Sequence, residues 1–156
     1  MVMPMEDLER IYNYRHVDES LSTSGQPTVA QLRSIAAAGF DAVINLAWHD
    51  DPRDSLPDER GAAESLGLEY VHIPVAFAAP AQTDLLAFFA AMEAHRDRKV
   101  WVHCAANMRV SAFLGLYRVV IQGWEEERAF ALMRGLWQPD EVWSAFIASA
   151  LQRERR

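Results

Sequence analysis

Lys99-Val100-Trp101-Val102-His103-Cys104-Ala105-Ala106-Asn107-Met108-Arg109-Val110-Ser111 is the stretch on which the reading of this chain turns. A short apolar run ends on His-Cys, small residues follow, and the loop closes on an arginine. Beyond it Val110, Phe113, Leu114, Tyr117 and Ile121 recur at the spacing of one helix face. A strand, a tight loop and a helix N-terminus in that order turn backbone N–H groups and a positive dipole end toward whatever occupies the loop. Cys104 is the only cysteine in the chain. A strand end, an opening helix and Arg109 nearby all favour its nucleophilic thiolate. Ala105, Ala106, Asn107 and Met108 allow the backbone to curl into an anion-binding nest. Asn107 suits the left-handed conformation such a turn requires, and the planar fork of Arg109 matches two oxygens of a phosphate or sulfur oxyanion. Two readings follow from the residues alone: a reactive thiol in an oxyanion cradle, or a small buried hydrophobe beside a surface arginine.

Outward from this loop the chain alternates strand and helix signals. Ile11 to Val17 is a candidate edge strand. Leu21 to Ser24 is a second strand, halted by Gly25-Gln26-Pro27. Thr28 stands three before Gln31, the spacing of a capping box, and the helix it opens should end at Gly39. Ala42 to Ala47 reads as a buried strand. A polar loop, Trp48 to Leu56, holds His49, Asp50, Asp51 and Asp54. A helix is expected from about Pro57-Asp58-Glu59 to Leu66, its carboxylates favourably placed on the dipole. Tyr70 to Val75 is a further strand, and Thr83 is expected to cap a helix with Leu85, Phe88, Phe89 and Met92 on its apolar face. After the cysteine loop a helix runs to Gln122. Trp124 to Leu136 and Pro139 onward through Trp143, Phe146 and Ile147 read as two closing helices.

Alternation of this kind predicts a three-layer α/β/α domain around a mostly parallel sheet of four to five strands. One domain is expected over 1–156, with a core of about 17–122 and C-terminal helices over 123–152. In such sheets the ligand crevice lies at the carboxyl ends of the strands, where His103-Cys104 falls.

Composition narrows the function classes. With 156 residues and a formal charge of -7, the chain lacks the basic surface that nucleic-acid backbones require. A single cysteine cannot form an internal disulfide and fits a reducing compartment. Met1 to Arg10 has no apolar core of a signal peptide, and no run reaches the length of a membrane span. A cytoplasmic protein is therefore expected. His49 with Asp50, Asp51 and Asp54 reads as a solvated acidic loop, so neither metal nor cofactor is expected. Trp48, His49, Phe77 and the Trp124 to Trp143 region are expected to wall the pocket.

His103-Cys104-Ala105-Ala106-Asn107-Met108-Arg109 resembles the phosphate loop of the cysteine-dependent protein tyrosine and dual-specificity phosphatases. Leu21-Ser22-Thr23-Ser24-Gly25-Gln26-Pro27, Val43-Ile44-Asn45-Leu46 and Tyr70-Val71-His72-Ile73-Pro74-Val75 extend the likeness to a bacterial phosphatase-like branch long grouped as a domain of unknown function. The resemblance implies a cysteine phosphatase-like fold and hydrolysis of a phosphate monoester, on a phosphorylated small molecule or phosphoprotein. It implies that Cys104 attacks phosphorus to form a phosphocysteine, and that Arg109 and the amides of Ala105 to Met108 bind the transferring oxygens. His103 would order the loop and Ser111 would stabilise the leaving thiolate.

The chain departs from that pattern at three points. Four residues, not five, separate cysteine from arginine, a length that the bacterial branch tolerates and that rhodanese-type sulfurtransferases share. Val110 intervenes between Arg109 and the hydroxyl of Ser111. The loop Ala76-Phe77-Ala78-Ala79-Pro80, where the general-acid aspartate usually stands, carries no acid, which leaves Asp50 or Asp51 as substitutes. Phosphatase, sulfurtransferase and a catalytically weak phosphate- or phosphoprotein-binding module all remain open.

Overall fold

The computed structural model describes residues 8–48 and 56–154. Five strands form one sheet: β1 (Arg15–Asp18), β2 (Leu21–Ser24), β3 (Ala42–Asn45), β4 (Glu69–His72) and β5 (Val100–His103). Their order is β1-β2-β5-β3-β4, with only β1 antiparallel to its neighbour. The cysteine strand β5 is therefore central, and every one of its residues is buried. A continuous apolar run is what a strand covered on both faces requires.

Side chains alternate across the sheet. Val43 and Trp101 face one layer with Leu32, Ile35 and Ala63, while Ile44, Val100 and Val102 face the other with Phe88, Phe113 and Trp143. The first layer carries α1 (Val29–Ala37) and α2 (Glu59–Ser65); the second carries α3 (Gln82–Ala94), α4 (Met108–Val120), α5 (Glu126–Ala129), α6 (Ala131–Arg134) and α7 (Glu141–Glu154). This is the three-layer α/β/α architecture with a mostly parallel sheet. Each fully buried large side chain contributes about 1.5–3 kcal/mol. No helix among the described residues is long and apolar enough to cross a membrane.

Several boundaries follow local chemistry read from the chain. Thr28 Oγ1 accepts from Gln31 N while Gln31 Oε1 accepts from Thr28 N, the reciprocal capping box. Gly39, at φ +91°, ends the following turn. Other boundaries moved. The edge strand begins at Arg15 rather than Ile11, because Ile11 and Tyr14 are held in turns by Leu8 O and Ile11 O. The strand expected over Tyr70–Val75 is regular only over Glu69–His72. Ile73 N and Val75 N still donate to Asn45 O and Leu46 O, but Pro74 has no N–H to continue the ladder. Thr83 does not cap α3; Ala81 does, its carbonyl accepting from Asp84 N and Leu85 N without a side-chain cap. The helix expected over Trp124–Leu136 is two short helices broken at Phe130. That ring lies against the bare Cα of Gly115, where an added Cβ would stand 2.3 Å from Phe130 Cδ1.

Candidate active site

Cys104 is the first residue beyond β5, and α4 begins at Met108. Between them Asn107 adopts φ +65°, the left-handed conformation expected of it. The loop is tied to the rest of the protein through its carbonyls. Gln26 N donates to Ala105 O at 3.0 Å, and Asn13 Nδ2 donates to Ala106 O at 3.0 Å. In a trans peptide the N–H points opposite the C=O, so the tie on Ala105 O turns the Ala106 N–H toward the inside of the loop. The first N–H groups of α4 have no acceptor within their own helix and add to the same positive end.

Gly25 explains why the strand before α1 stops where it does. A Cβ there would meet Ala105 O at 2.5 Å, Tyr12 Cδ2 at 2.7 Å and Ala106 Cα at 3.2 Å. Only a glycine lets the Gly25–Gln26 backbone lie this close to the loop.

Arg109 lies under the loop's helical end, 5% exposed. Its Nη1 donates to Val75 O at 2.8 Å, and its guanidinium carbon stands 5.8 Å from the Phe77 ring centre. Its buried Nε has no hydrogen-bond partner among the described residues. An orphaned buried donor costs about 1–3 kcal/mol, and a bound oxyanion would supply the missing acceptor. Asn107 Nδ2 donates to Asn13 O and to Thr23 Oγ1, both at 2.9 Å, locking the loop's turn to the sheet. Ser111 Oγ donates to Met108 O at 2.9 Å and accepts from Trp137 Nε1 at 3.0 Å. Its proton is therefore directed at a carbonyl, and a role toward the sulfur would require that bond to exchange. Cys104 itself is 0% exposed, beneath the four intervening residues.

A residue not singled out in the sequence completes the site. Glu59, the first residue of α2, is buried, and its Oε2 lies 2.6 Å from His103 Nε2. Gln26 Nε2 donates to the other oxygen at 2.7 Å. Burial pushes the Glu59 carboxyl up, but the charge of His103 and hydrogen bonds from His103, Gln26 and Tyr70 outweigh it and hold the group below the ordinary carboxylate value. Burial and the neighbouring Glu59 charge raise the Tyr70 phenol. The Asp-Glu pair was legible only as a helix start; its partner is 44 residues away.

Trp48, Ala76, Phe77, Ala78 and Arg109 line a cleft of about 320 Å³ at the mouth. Phe77 packs against Trp137 and Trp143 at 5.8 and 5.7 Å between ring centres, and Trp143 Nε1 donates to Phe77 O at 2.7 Å. These two tryptophans back the wall through Phe77 and do not themselves line the cleft. Trp124 lies elsewhere. It lines a cavity of about 190 Å³ with Leu21 and Val100, the residues that begin β2 and β5, at the opposite end of the sheet. His49, Asp50 and Asp51 lie outside the described residues. Asp84 lies in α3, where burial raises its carboxyl against the lowering effect of a backbone hydrogen bond at Ala81.

Residues 13–120 match the model of a family described as beta-lactamase hydrolase-like protein, phosphatase-like domain. The chain belongs to this family. A beta-lactamase hydrolase-like protein of Agrobacterium fabrum is 33% identical over 96 residues, which are 60% of this chain and 22% of that protein. The chain thus spans about a fifth of that relative's length. A crystal structure of a candidate phosphatase of the DUF442 group from Shewanella putrefaciens aligns at TM-score 0.85 and 32% identity, covering 98% of this chain and 100% of the other. TpbA of P. aeruginosa, solved in complex with pTyr, aligns at TM-score 0.71 and 21% identity over 92% of this chain and 88% of that one, a likeness of fold. The phosphatase-like family and the cysteine phosphatase-like fold agree with the resemblance carried by the Cys104 loop.

Proposed function

We propose that this phosphatase-like domain hydrolyses a phosphate monoester, borne by a small molecule or a protein, through Cys104. The observation that carries the reading is the loop itself: its carbonyls are drawn outward by Gln26 and Asn13, and Arg109 holds a buried Nε–H with no protein acceptor among the described residues. In the first step the Cys104 thiolate attacks phosphorus. The S–P bond forms, the ester P–O bond breaks, and the leaving oxygen takes a proton from Asp50, Asp51 or water. Water then attacks phosphorus, the S–P bond breaks, and the thiolate and inorganic phosphate are released. Arg109 and the amides of Ala105 to Met108 share the oxyanion charge in both steps. With the sulfur fully buried, the loop must admit the phosphoryl group before attack. Residues 17–122 would form the core of one cytoplasmic domain, with 123–152 completing its wall.

A second reading, sulfur transfer, is favoured by the four-residue loop and by the absence of an acid in Ala76 to Pro80. There the Cys104 thiolate takes the outer sulfur of thiosulfate, sulfite leaves, and an acceptor such as cyanide removes the sulfur from the persulfide.

Hydrolysis of an aryl phosphate that is abolished in Cys104→Ser supports the phosphatase. Thiocyanate formation from thiosulfate and cyanide, without phosphate release, transfers the assignment to sulfur chemistry. Phosphate binding without either turnover would overturn both in favour of a binding module.

A further inference from the structure

The Glu59–His103 pair is a costly thing to bury. Two charges taken from water repay their desolvation only when geometry is good, and an apolar pair of equal volume is often as stable or more so. Both members here are nearly or fully inaccessible, Glu59 at 5% and His103 at 0%. His103 is closed off from solvent behind the cysteine loop, and Glu59 lies at the edge of a cavity of about 210 Å³ that it shares with Asn45, Tyr70 and His72.

The ring of His103 is bracketed by two acceptors. Nε2 lies 2.6 Å from Glu59 Oε2, and Nδ1 lies 3.3 Å from Cys104 O. The second carboxylate oxygen accepts from Gln26 Nε2, as an ionised carboxylate can. A neutral imidazole has one N–H and could serve only one of the two acceptors; an imidazolium serves both. From this geometry we infer that Glu59 is a positioning residue, holding His103 as an imidazolium whose Nδ1–H anchors the Cys104 carbonyl.

The consequence for the loop is directional. With Cys104 O held toward His103, the trans peptide turns the Ala105 N–H to the other side, into the cradle. Gln26 does the same for the next peptide by donating its N–H to Ala105 O. One residue, Gln26, thus holds both the loop and the carboxylate that orients it. Glu59 acts on the loop through His103 and touches no reacting atom. The loss of one correctly aimed amide rests on the oxyanion-cradle reading; the state of the histidine does not.

Nitrogen NMR of the ring nitrogens in histidine-labelled protein tests the inference without turnover. In the wild type, both nitrogens of His103 are expected to carry a proton. In Glu59→Gln under the same conditions the ring is expected to become a neutral tautomer. Inorganic phosphate affinity of the Cys104→Ser protein should fall about tenfold when Glu59→Gln is added, the effect of one lost aligned donor. Glu59→Asp keeps the charge but shortens the reach, and is expected to restore little of that affinity. A neutral His103 in the wild type overturns the proposal even if Glu59→Gln fails to fold. A folded Glu59→Gln protein that keeps the doubly protonated ring, or full phosphate affinity, overturns it too. Wild-type protein that binds no phosphate refutes the cradle reading instead, while the ring nitrogens still decide the role of Glu59.

Discussion

Gly25→Ala tests how closely the loop depends on its neighbour. The new methyl would stand 2.5 Å from Ala105 O, a backbone atom, and ordinary contact begins near 3.4 Å, so a displacement of about 0.9 Å is needed. The clash with Tyr12 is cheaper, since that side chain is 59% exposed and can swing away. Overpacking of this kind costs about 1–3 kcal/mol. Losing the Gln26 N to Ala105 O bond adds about 1 kcal/mol, and the smaller unfolded-state entropy of alanine offsets about 0.4–1 kcal/mol. The net loss is about 2 kcal/mol, or about 4–8 °C in Tm for a chain of this size. Function should suffer more than stability, because a misplacement near 1 Å in a positioned site can cost about 10²-fold. Thermal unfolding and aryl phosphate hydrolysis, with phosphate affinity as a second readout, measure the two effects separately. A variant with unchanged Tm and unchanged phosphate affinity would refute the claim that this contact shapes the cradle.

Asn107→Gly should keep the left-handed turn but lose the bonds to Asn13 and Thr23, whereas Asn107→Ala adds a backbone penalty of about 1 kcal/mol; urea unfolding should rank alanine below glycine. Gly115→Ala drives a methyl into the Phe130 ring, and urea unfolding should show a loss of about 1–2 kcal/mol after the helix-propensity gain of alanine. Thr28→Ala breaks the exposed capping box and should cost about 1 kcal/mol in thermal unfolding while leaving phosphate affinity unchanged. Because the folded carboxyl of Glu59 is held below its ordinary 4.5, its contribution is present above that pH and is lost as pH falls through the lowered value. The difference in thermal stability between wild type and Glu59→Gln should therefore narrow as pH falls below 4.5 and vanish only below the lowered value.

The parts of this protein that were readable from sequence are those encoded within a few residues. The buried β5 run, the capping box at Thr28 and the left-handed Asn107 each depend on neighbours in the chain. The central place of Cys104 followed from the rule that parallel sheets bind at their carboxyl ends. The features that local sequence does not announce depend on packing between distant segments. Glu59 reads as an ordinary acidic helix start until α2 is laid over the end of β5. Trp124 sits near Trp137 and Trp143 in sequence, yet the turn after α4 returns it to the opposite end of the sheet. The break at Phe130 has no glycine or proline to announce it; the groove at Gly115, on another helix, makes room for the ring.

The ties from Asn13 make the cradle depend on a segment remote in sequence. Asn13 reaches Ala106 and Asn107 across separations of 93 and 94 residues, and Gly25 N donates to Tyr12 O within the same seam. β2 and β5 are already paired across a comparable span, Leu21 to Val100, so holding Asn13 beside the loop adds little further loop-closure cost. The segment ahead of β1 thus acts as a clasp on the cradle: displacing it should loosen the loop while the five strands stay paired.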